Sequence, residues 1–292
     1  MELFLQQITG GFATGAIYAC MALSVVMIYQ AIHHVNFAQG EMAMFSTYIA
    51  WQLLVWGLPY VIVFPLTVAI SFVGGFVVER AVFKPIERAP VLTHITVFVA
   101  LLAIFNSAAG FIWSFSIKAV ESPFGDGPFM GSNLLGQHQA GMIGVTLVLL
   151  VALWAFFSFT RVGLAMRAAA ANPDSSRLVG IKVSTMTALG WGMAAAIGAI
   201  AGMLIAPVVF LEPNMMISIL LYGFAGAVLG GLTNPGGAVF GGFAVGIVEN
   251  LAGTYIPVVG GELKLSIALF LIVLVLVFKP TGLFGRRVVQ RV

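Results

Sequence analysis

The sequence predicts an all-α polytopic membrane protein with about nine membrane segments, some of them broken or re-entrant. Three observations carry this. Hydrophobic residues make up 61% of the chain and charged residues 8%, whereas about a quarter of a soluble domain is charged. The mean hydropathy is +1.08. Uncharged runs recur at the roughly 20-residue length that a spanning helix requires, and the few cations gather at their ends.

In chain order the runs are Gly11 to Ile32, Met42 to Val78, Ala89 to Ile117, Gln139 to Thr160, Val183 to Leu211, Pro213 to Val248 and Leu265 to Phe278. The amino terminus begins with Glu2 and lacks a basic n-region, so the first run reads as a retained helix and not a cleaved signal. Met42–Val78 and Pro213–Val248 are each roughly 55 Å long as helices, too long for one crossing. Gly and Pro punctuate helices, so "GLP" at Gly57–Pro59 and "TNPGG" at Thr233–Gly237 divide them. The last run is short, and Lys264 and Lys279 extend it by snorkelling. Cys20 is the single cysteine, which excludes an intrachain disulfide or a Cys-based metal site. The histidines, His33, His34, His94 and His138, show no metal-ligand spacing, and His33 and His34 fall in the first cytoplasmic bend.

Alternate crossing places Arg80, Lys84 and Arg88, then Arg161, Arg167, Arg177 and Lys182, then Lys279, Arg286, Arg287 and Arg291 on one side. That is eleven of the thirteen cations. The positive-inside rule makes this side cytoplasmic, with the amino terminus outside and the carboxyl terminus inside. Lys118 and Lys264 remain outside with Glu2, Glu121, Asp126, Glu212 and Glu262. The pI near 9.2 is therefore a topology signal, and nucleic acid is excluded as a partner.

The cytoplasmic stretch 161–184, "RVGLAMRAAAANPDSSRLVGIKVS", is longer than a turn needs. "GLAMRAAAA" is strongly helix-forming. Asn172 followed by Pro173 reads as an N-cap with Pro at the first helical position, starting a helix Pro173–Val179 that ends at Gly180. Two readings stand, a basic helix held by anionic membrane lipid and a docking element for a soluble partner. The chain contains no G-x-x-x-x-G-K-[ST] phosphate cradle, so ATP-driven transport would need a separate ATPase chain.

Within the apolar runs, "VNFAQGE" places Asn36, Gln39 and Glu41 together. Either they line a polar path at a buried bend, or Gly40 is a plain turn and Glu41 a solvated helix-start acid. Gly223–Gly246 carries G-x-x-x-G spacing at Gly226/Gly230, Gly237/Gly241 and Gly242/Gly246, which suits tight helix packing. Around Asn234 the same stretch has the Gly-flanked interruption of broken-helix transport sites. Glu249 ends that run, and is either a snorkelling interfacial acid or a gate or substrate-amine contact.

"HVNFAQGEMAMF" (His34–Phe45), "GLAMRAAAANPDSSRLVGI" (Gly163–Ile181), "AVLGGLTNPGGAVFGGFAVGIVE" (Ala227–Glu249) and "KPTGLFG" (Lys279–Gly285) resemble, in order, the permease subunits of Liv-type branched-chain amino acid ABC importers. The resemblance runs almost end to end and makes residues 1–292 one permease domain. It implies that stretch 161–184 is a coupling loop seated in a groove of the ATPase. The coupling residues would be Arg167, Ala168, Ala169, Asn172, Pro173, Asp174, Leu178 and Gly180. It further implies a second permease (the same or a related chain), two ATP-binding subunits that use ATP and Mg, and a periplasmic binding protein. No cofactor is bound by this chain itself. The external loop 118–138 would receive the binding protein or serve as a connector. Gln39 stands where the family commonly has His, and an amide cannot titrate. The implied setting is the bacterial inner membrane and the implied cargo branched-chain or related amino acids, with urea, short amides or aromatic acids as family alternatives. A gradient-driven secondary transporter is the other class in view. An intramembrane enzyme is disfavoured because no Ser-His, paired-Asp or H-E-x-x-H constellation is present.

Overall fold

The computed structural model describes residues 2–32, 34–257, 260 and 263–285. His33, Glu262, Arg286, Arg287 and Arg291 lie outside the described residues. Eleven α-helices are described: α1 (Glu2–Ile32), α2 (Gln39–Val55), α3 (Tyr60–Val78), α4 (Val91–Trp113), α5 (Gln137–Phe159), α6 (Arg161–Ala171), α7 (Pro173–Leu178), α8 (Val183–Val209), α9 (Met215–Gly230), α10 (Pro235–Tyr255) and α11 (Lys264–Phe278). A single short hairpin, β1 (Pro128–Phe129) with antiparallel β2 (Ser132–Gly136), interrupts the 118–138 loop. The fold is all-α and polytopic, as the composition predicts.

Among the described residues, six helices are long and apolar enough to cross a membrane, namely α1, α3 with its extension to Ile86, α4, α5, α8 and α10. The three other expected segments are shorter helices: α2 with 17 residues, α9 with 16 and α11 with 15. Breaks fall where Gly and Pro put them. Gly57 turns at φ +85 before Pro59 caps α3. Gly231, at φ +110, ends α9 before Pro235 opens α10.

Two boundaries miss the sequence reading. The first helix starts at Glu2 and not Gly11, and the Thr9 hydroxyl donates to the Leu134 carbonyl of β2 at 2.6 Å, tying these early turns down. Arg80 and Lys84, expected in a loop, continue α3 as a π-turn (Glu79–Phe83) and a 3₁₀ turn (Lys84–Ile86). Arg80 anchors this extension by donating to the Ser184 and Thr185 hydroxyls in the first turn of α8, at 2.9 and 3.1 Å.

The described residues form two compact units. In the unit of residues 1–26, 121–143 and 217–292, α10 presents a glycine face to α1 and α9. A Cβ at Gly242 would fall on the backbone of Ala19, and one at Gly226 would lie 2.7 Å from the Gly242 backbone. Ala22, Val26, Ala227 and Ala238 fill the core alongside, and Phe12 stacks on Phe243 at 4.5 Å. This is the close approach that G-x-x-x-G spacing permits. The "KPTGLFG" segment satisfies the end of α9: the Leu283 and Phe284 N–H groups donate to the Leu229 and Gly230 carbonyls, which a helix terminus otherwise leaves open.

In the unit of residues 27–120 and 144–216, α8 is the central post, its middle built from Gly and Ala and buried almost throughout. Gly192 lets α3 approach, and Gly198 and Gly202 admit α2. Ala50, Val63 and Met203 close a core between α2, α3 and α8. Phe83, His94, Phe98 and Trp191 form an aromatic cluster around the α4 amino-terminal turns, with ring centroids 5.1 to 6.1 Å apart.

Adjacent glycines in α3 separate packing from helix propensity. A Cβ at Gly75 would lie 2.6 Å from both the Ala195 side chain and the Trp191 carbonyl, whereas one at Gly74 meets nothing within 4 Å. Gly75→Ala is therefore expected to destabilise by about 1–3 kcal/mol through overpacking. Gly74→Ala should be neutral or raise Tm. Thermal unfolding in detergent compares the two, and equal responses would contradict the α3–α8 packing.

Candidate functional site

Two interruptions of helical backbone occur in the second unit, and polar side chains meet beside them. Between α1 and α2, residues 34–38 leave helical geometry. Asn36 bends this stretch through its own side chain, its Oδ1 accepting from the Ala38 N–H at 2.9 Å, an Asx-type turn. Gln39 then opens α2 and donates from Nε2 to the Ala194 carbonyl of α8 at 2.8 Å. Glycine at 198 makes that reach feasible, because a Cβ there would stand 2.9 Å from Gln39 Nε2. Asn36, Gln39 and Glu41 are 0%, 0% and 1% exposed. Of the two placements open to the sequence, the buried bend is the one observed: Gly40 lies inside α2 and Glu41 is not solvated. Asn36 Nδ2 and Gln39 Oε1 have no hydrogen-bond partner among the described residues.

The second interruption follows α8. Phe210 turns at φ +63, Leu211 exchanges two 2.9 Å backbone hydrogen bonds with Lys118, and Pro213 and Asn214 lead into α9. Asn106, in α4, joins the second interruption to the first turn of α2. Its Nδ2 donates to the Pro213 carbonyl at 2.9 Å and to Asn214 Oδ1 at 3.0 Å, and lies 3.4 Å from Glu41 Oε2. Around it α2 and α4 pack through aromatics: Phe45 meets Phe105 edge-on, Tyr48 stacks on Trp113, and Trp113 Nε1 donates to Gln52 Oε1 at 2.9 Å. Sequence reasoning missed Asn106 and Asn214. The available signal was an amide within an otherwise apolar run, since polar groups inside spanning helices carry function more often than not.

Glu249 belongs to the first unit and is 7% exposed. Its Oε2 accepts from the Tyr18 hydroxyl at 2.9 Å, its Oε1 lies 3.7 Å from Lys264 Nζ, and Tyr18 stacks on Tyr222 at 4.7 Å. Lys264, expected to snorkel, is directed to this acid. Asn234 caps α10, with Oδ1 accepting from the Gly237 N–H at 3.1 Å and Nδ2 donating to the Phe284 carbonyl at 3.2 Å. Both of its polar groups are used to hold the fold.

Stretch 161–184 forms the two short helices that local chemistry predicts. Asn172 Oδ1 accepts from the Ser175 N–H at 2.9 Å, Pro173 opens α7, and Gly180 closes it at φ +83. Arg167, Asn172, Pro173, Asp174, Leu178 and Gly180 are exposed and Ala168 partly so. Ala169 is not: with Gly163 and Met166 it forms the inward face of α6. The Asp174–Arg177 pair at 3.2 Å is solvated on both sides and contributes little. Leu178 and Val179 present bare apolar tips, 89% and 76% exposed. Beside them Arg177, Gly180, Ile181, Lys182 and Glu87 border a concavity of about 400 Å³. Among the described residues, no group of three His, Cys, Asp or Glu side chains is placed to hold a metal.

An all-helical, multi-pass chain with polar groups meeting beside helix interruptions fits the class of membrane permeases. Residues 7–278 match the family model described as the branched-chain amino acid transport system permease component. The chain belongs to this family. It is 28% identical to the high-affinity branched-chain amino acid transport system permease protein BraD of Pseudomonas aeruginosa, over 99% of this chain and 98% of that protein. Identity to LivH of Escherichia coli K12, the same class of permease protein by name, is 29% with the same coverage. The probable LivH permease of Methanocaldococcus jannaschii is 27% identical over 91% of this chain and 87% of its own length. Among solved structures, PsaBC from Streptococcus pneumoniae in complex with Fab shares the fold, with a TM-score of 0.52 at 11% identity over 93% of this chain and 91% of that one.

Tyr18→Phe removes a donor to a buried carboxylate while keeping the stacked ring. It should lower stability by about 1–3 kcal/mol. Lys264→Met leaves the buried Glu249 carboxylate without its cation and should cost more than Tyr18→Phe, about 3–5 kcal/mol. Thermal unfolding of the detergent-solubilised chain checks the order, and a smaller loss in Lys264→Met would contradict it.

Proposed function

We propose that this chain is one of two permease subunits of an ABC importer and forms the pathway for branched-chain or related amino acids across a bacterial inner membrane. The carrying observation is family membership over residues 7–278, together with relatives of nearly the same length named for branched-chain amino acid transport. In this reading the chain is a non-catalytic permease and binds no cofactor. ATP and Mg are used by two partner ATPase subunits, and a periplasmic binding protein delivers the substrate.

The nine crossings are α1 to α5 and α8 to α11, of which α2, α9 and α11 are the short ones. The amino terminus is outside and the carboxyl terminus cytoplasmic, which puts the cation-rich turns 79–88 and 161–184 on the ATPase side. Loop 118–138, with its hairpin, faces the binding protein. In the second unit Asn36, Gln39 and Glu41 are the pathway residues, and in the first unit Asn234 and Glu249 are, these two also serving the fold through the bonds described above.

Coupling falls to α6 and α7. Arg167, Ala168, Asn172, Pro173, Asp174, Leu178 and Gly180 meet the ATPase, and Ala169 sets the packing of α6 from behind. Leu178 and Val179 supply the apolar contact, and Arg80, bonded to the first turn of α8, carries movement of this loop to α3.

Replacing Leu178 and Val179 together by Asp should weaken ATPase retention about tenfold or more, because each buried aliphatic side chain contributes about 1.5–3 kcal/mol. Membrane insertion and thermal stability should remain. A pull-down of the tagged chain from its native membrane, with quantification of the co-purifying ATPase, measures this. Unchanged retention would remove the coupling role from α7.

A further inference from the structure

The three buried acids among the described residues differ in what neutralises them. Glu249 has the Tyr18 hydroxyl and the Lys264 ammonium, and Glu79 has the Arg80 guanidinium at 3.8 Å. Glu41 has no ion pair among the described residues, and its one hydrogen-bond donor there is the Asn106 amide at 3.4 Å. A carboxylate taken out of water without a cation is costly. A positively charged or hydrogen-bond-donating visitor at this position is one way to offset that cost.

The surroundings specify what kind. Three oxygens of different chemistry, Glu41 Oε2, the Pro213 carbonyl and Asn214 Oδ1, converge on the single nitrogen Asn106 Nδ2 at 3.4, 2.9 and 3.0 Å. A primary amide has two N–H donors for these three acceptors, and the longest of the three contacts is the one to the acid. An ammonium group has three donors and a full positive charge. It would satisfy all three oxygens and neutralise Glu41. Glu41 is buried, Asn106 is half-buried and Asn214 is exposed, so the oxygen trio has an open side through Asn214.

We infer that Glu41, the Pro213 carbonyl and Asn214 form a subsite for the ammonium group of the transported amino acid, with the Asn106 amide as its intramolecular placeholder. The inference rests on the amino acid reading given under Proposed function. It also assigns the substrate-amine contact, which the sequence left open at Glu249, to Glu41. The first turn of α2 and the α8–α9 interruption both contribute to the subsite, so an ammonium that displaces Asn106 would break the amide's link between them.

The test uses the complex purified from its native membrane without the binding protein, and measures its Tm against leucine and against 4-methylpentanoate, which is leucine without its amine. Leucine is expected to raise Tm and the des-amino acid is not. Glu41→Gln should require about tenfold more leucine or higher, since a charge-assisted contact is lost, and Glu41→Asp should fall closer to the wild type. Asn106→Ala, lacking the placeholder, should respond at lower leucine. The inference is overturned if Glu41→Gln responds like the wild type, if both acids raise Tm equally, or if Asn106→Ala loses the response along with Glu41→Gln, which would make the trio a structural latch. Uptake by the reconstituted complex with its binding protein separates the two readings. Leucine uptake with no Tm response overturns the subsite alone, and no branched-chain amino acid uptake overturns the transport reading and the subsite with it.

Discussion

Helices in lipid gain nothing hydrophobic by meeting each other, so their association depends on how closely their backbones approach. In this protein that approach is set by small residues on two helices. The Gly and Ala middle of α8 admits α2 and α3, and the glycine face of α10 admits α1 and α9. Two polar contacts depend directly on these faces. Gln39 reaches the Ala194 carbonyl only because position 198 carries no side chain. Thr14 meets Asn250 at 3.0 Å across helices whose approach Gly11, Gly15 and Gly246 allow.

Close packing also decides where the backbone stops being helical. A spanning chain must satisfy its own N–H and C=O groups internally, and non-helical backbone is tolerated where protein buries it. The 34–38 interruption lies against α8 and is held by the Asn36 turn and the Gln39 amide. The 210–214 interruption is held by the Lys118–Leu211 bridge and by Asn106. The open carbonyls after α9 are closed by the folded-back segment 281–285. Three signatures that read as family marks in the sequence thus have physical duties: a bend, a cap and a helix-end closure.

The cytoplasmic stretch shows a different economy. Its helix ends are local objects, built by Asn172, Pro173 and Gly180, and its outward apolar tips at Leu178 and Val179 find no cover among the described residues. Its continuation into α8 is fastened by Arg80, which draws the end of α3 out as a helix past the point where charge alone predicts a loop.

What the sequence determined by itself was whatever depends on neighbours a few residues away. The apolar runs, the breaks after Gly57 and before Pro235, and the Asn172 cap with its Gly180 exit follow from transfer energies and backbone preferences that act locally. The tertiary structure decided which polar groups meet. Glu41 and Asn106 are 65 residues apart and Tyr18 and Glu249 are 231 apart, and no pattern of period or spacing encodes such pairs. Ala169 was legible as a small helical residue, but its inward face was not. The α8 and α10 small-residue faces fix these partnerships, because the helices they admit determine which side chains are carried into reach of one another.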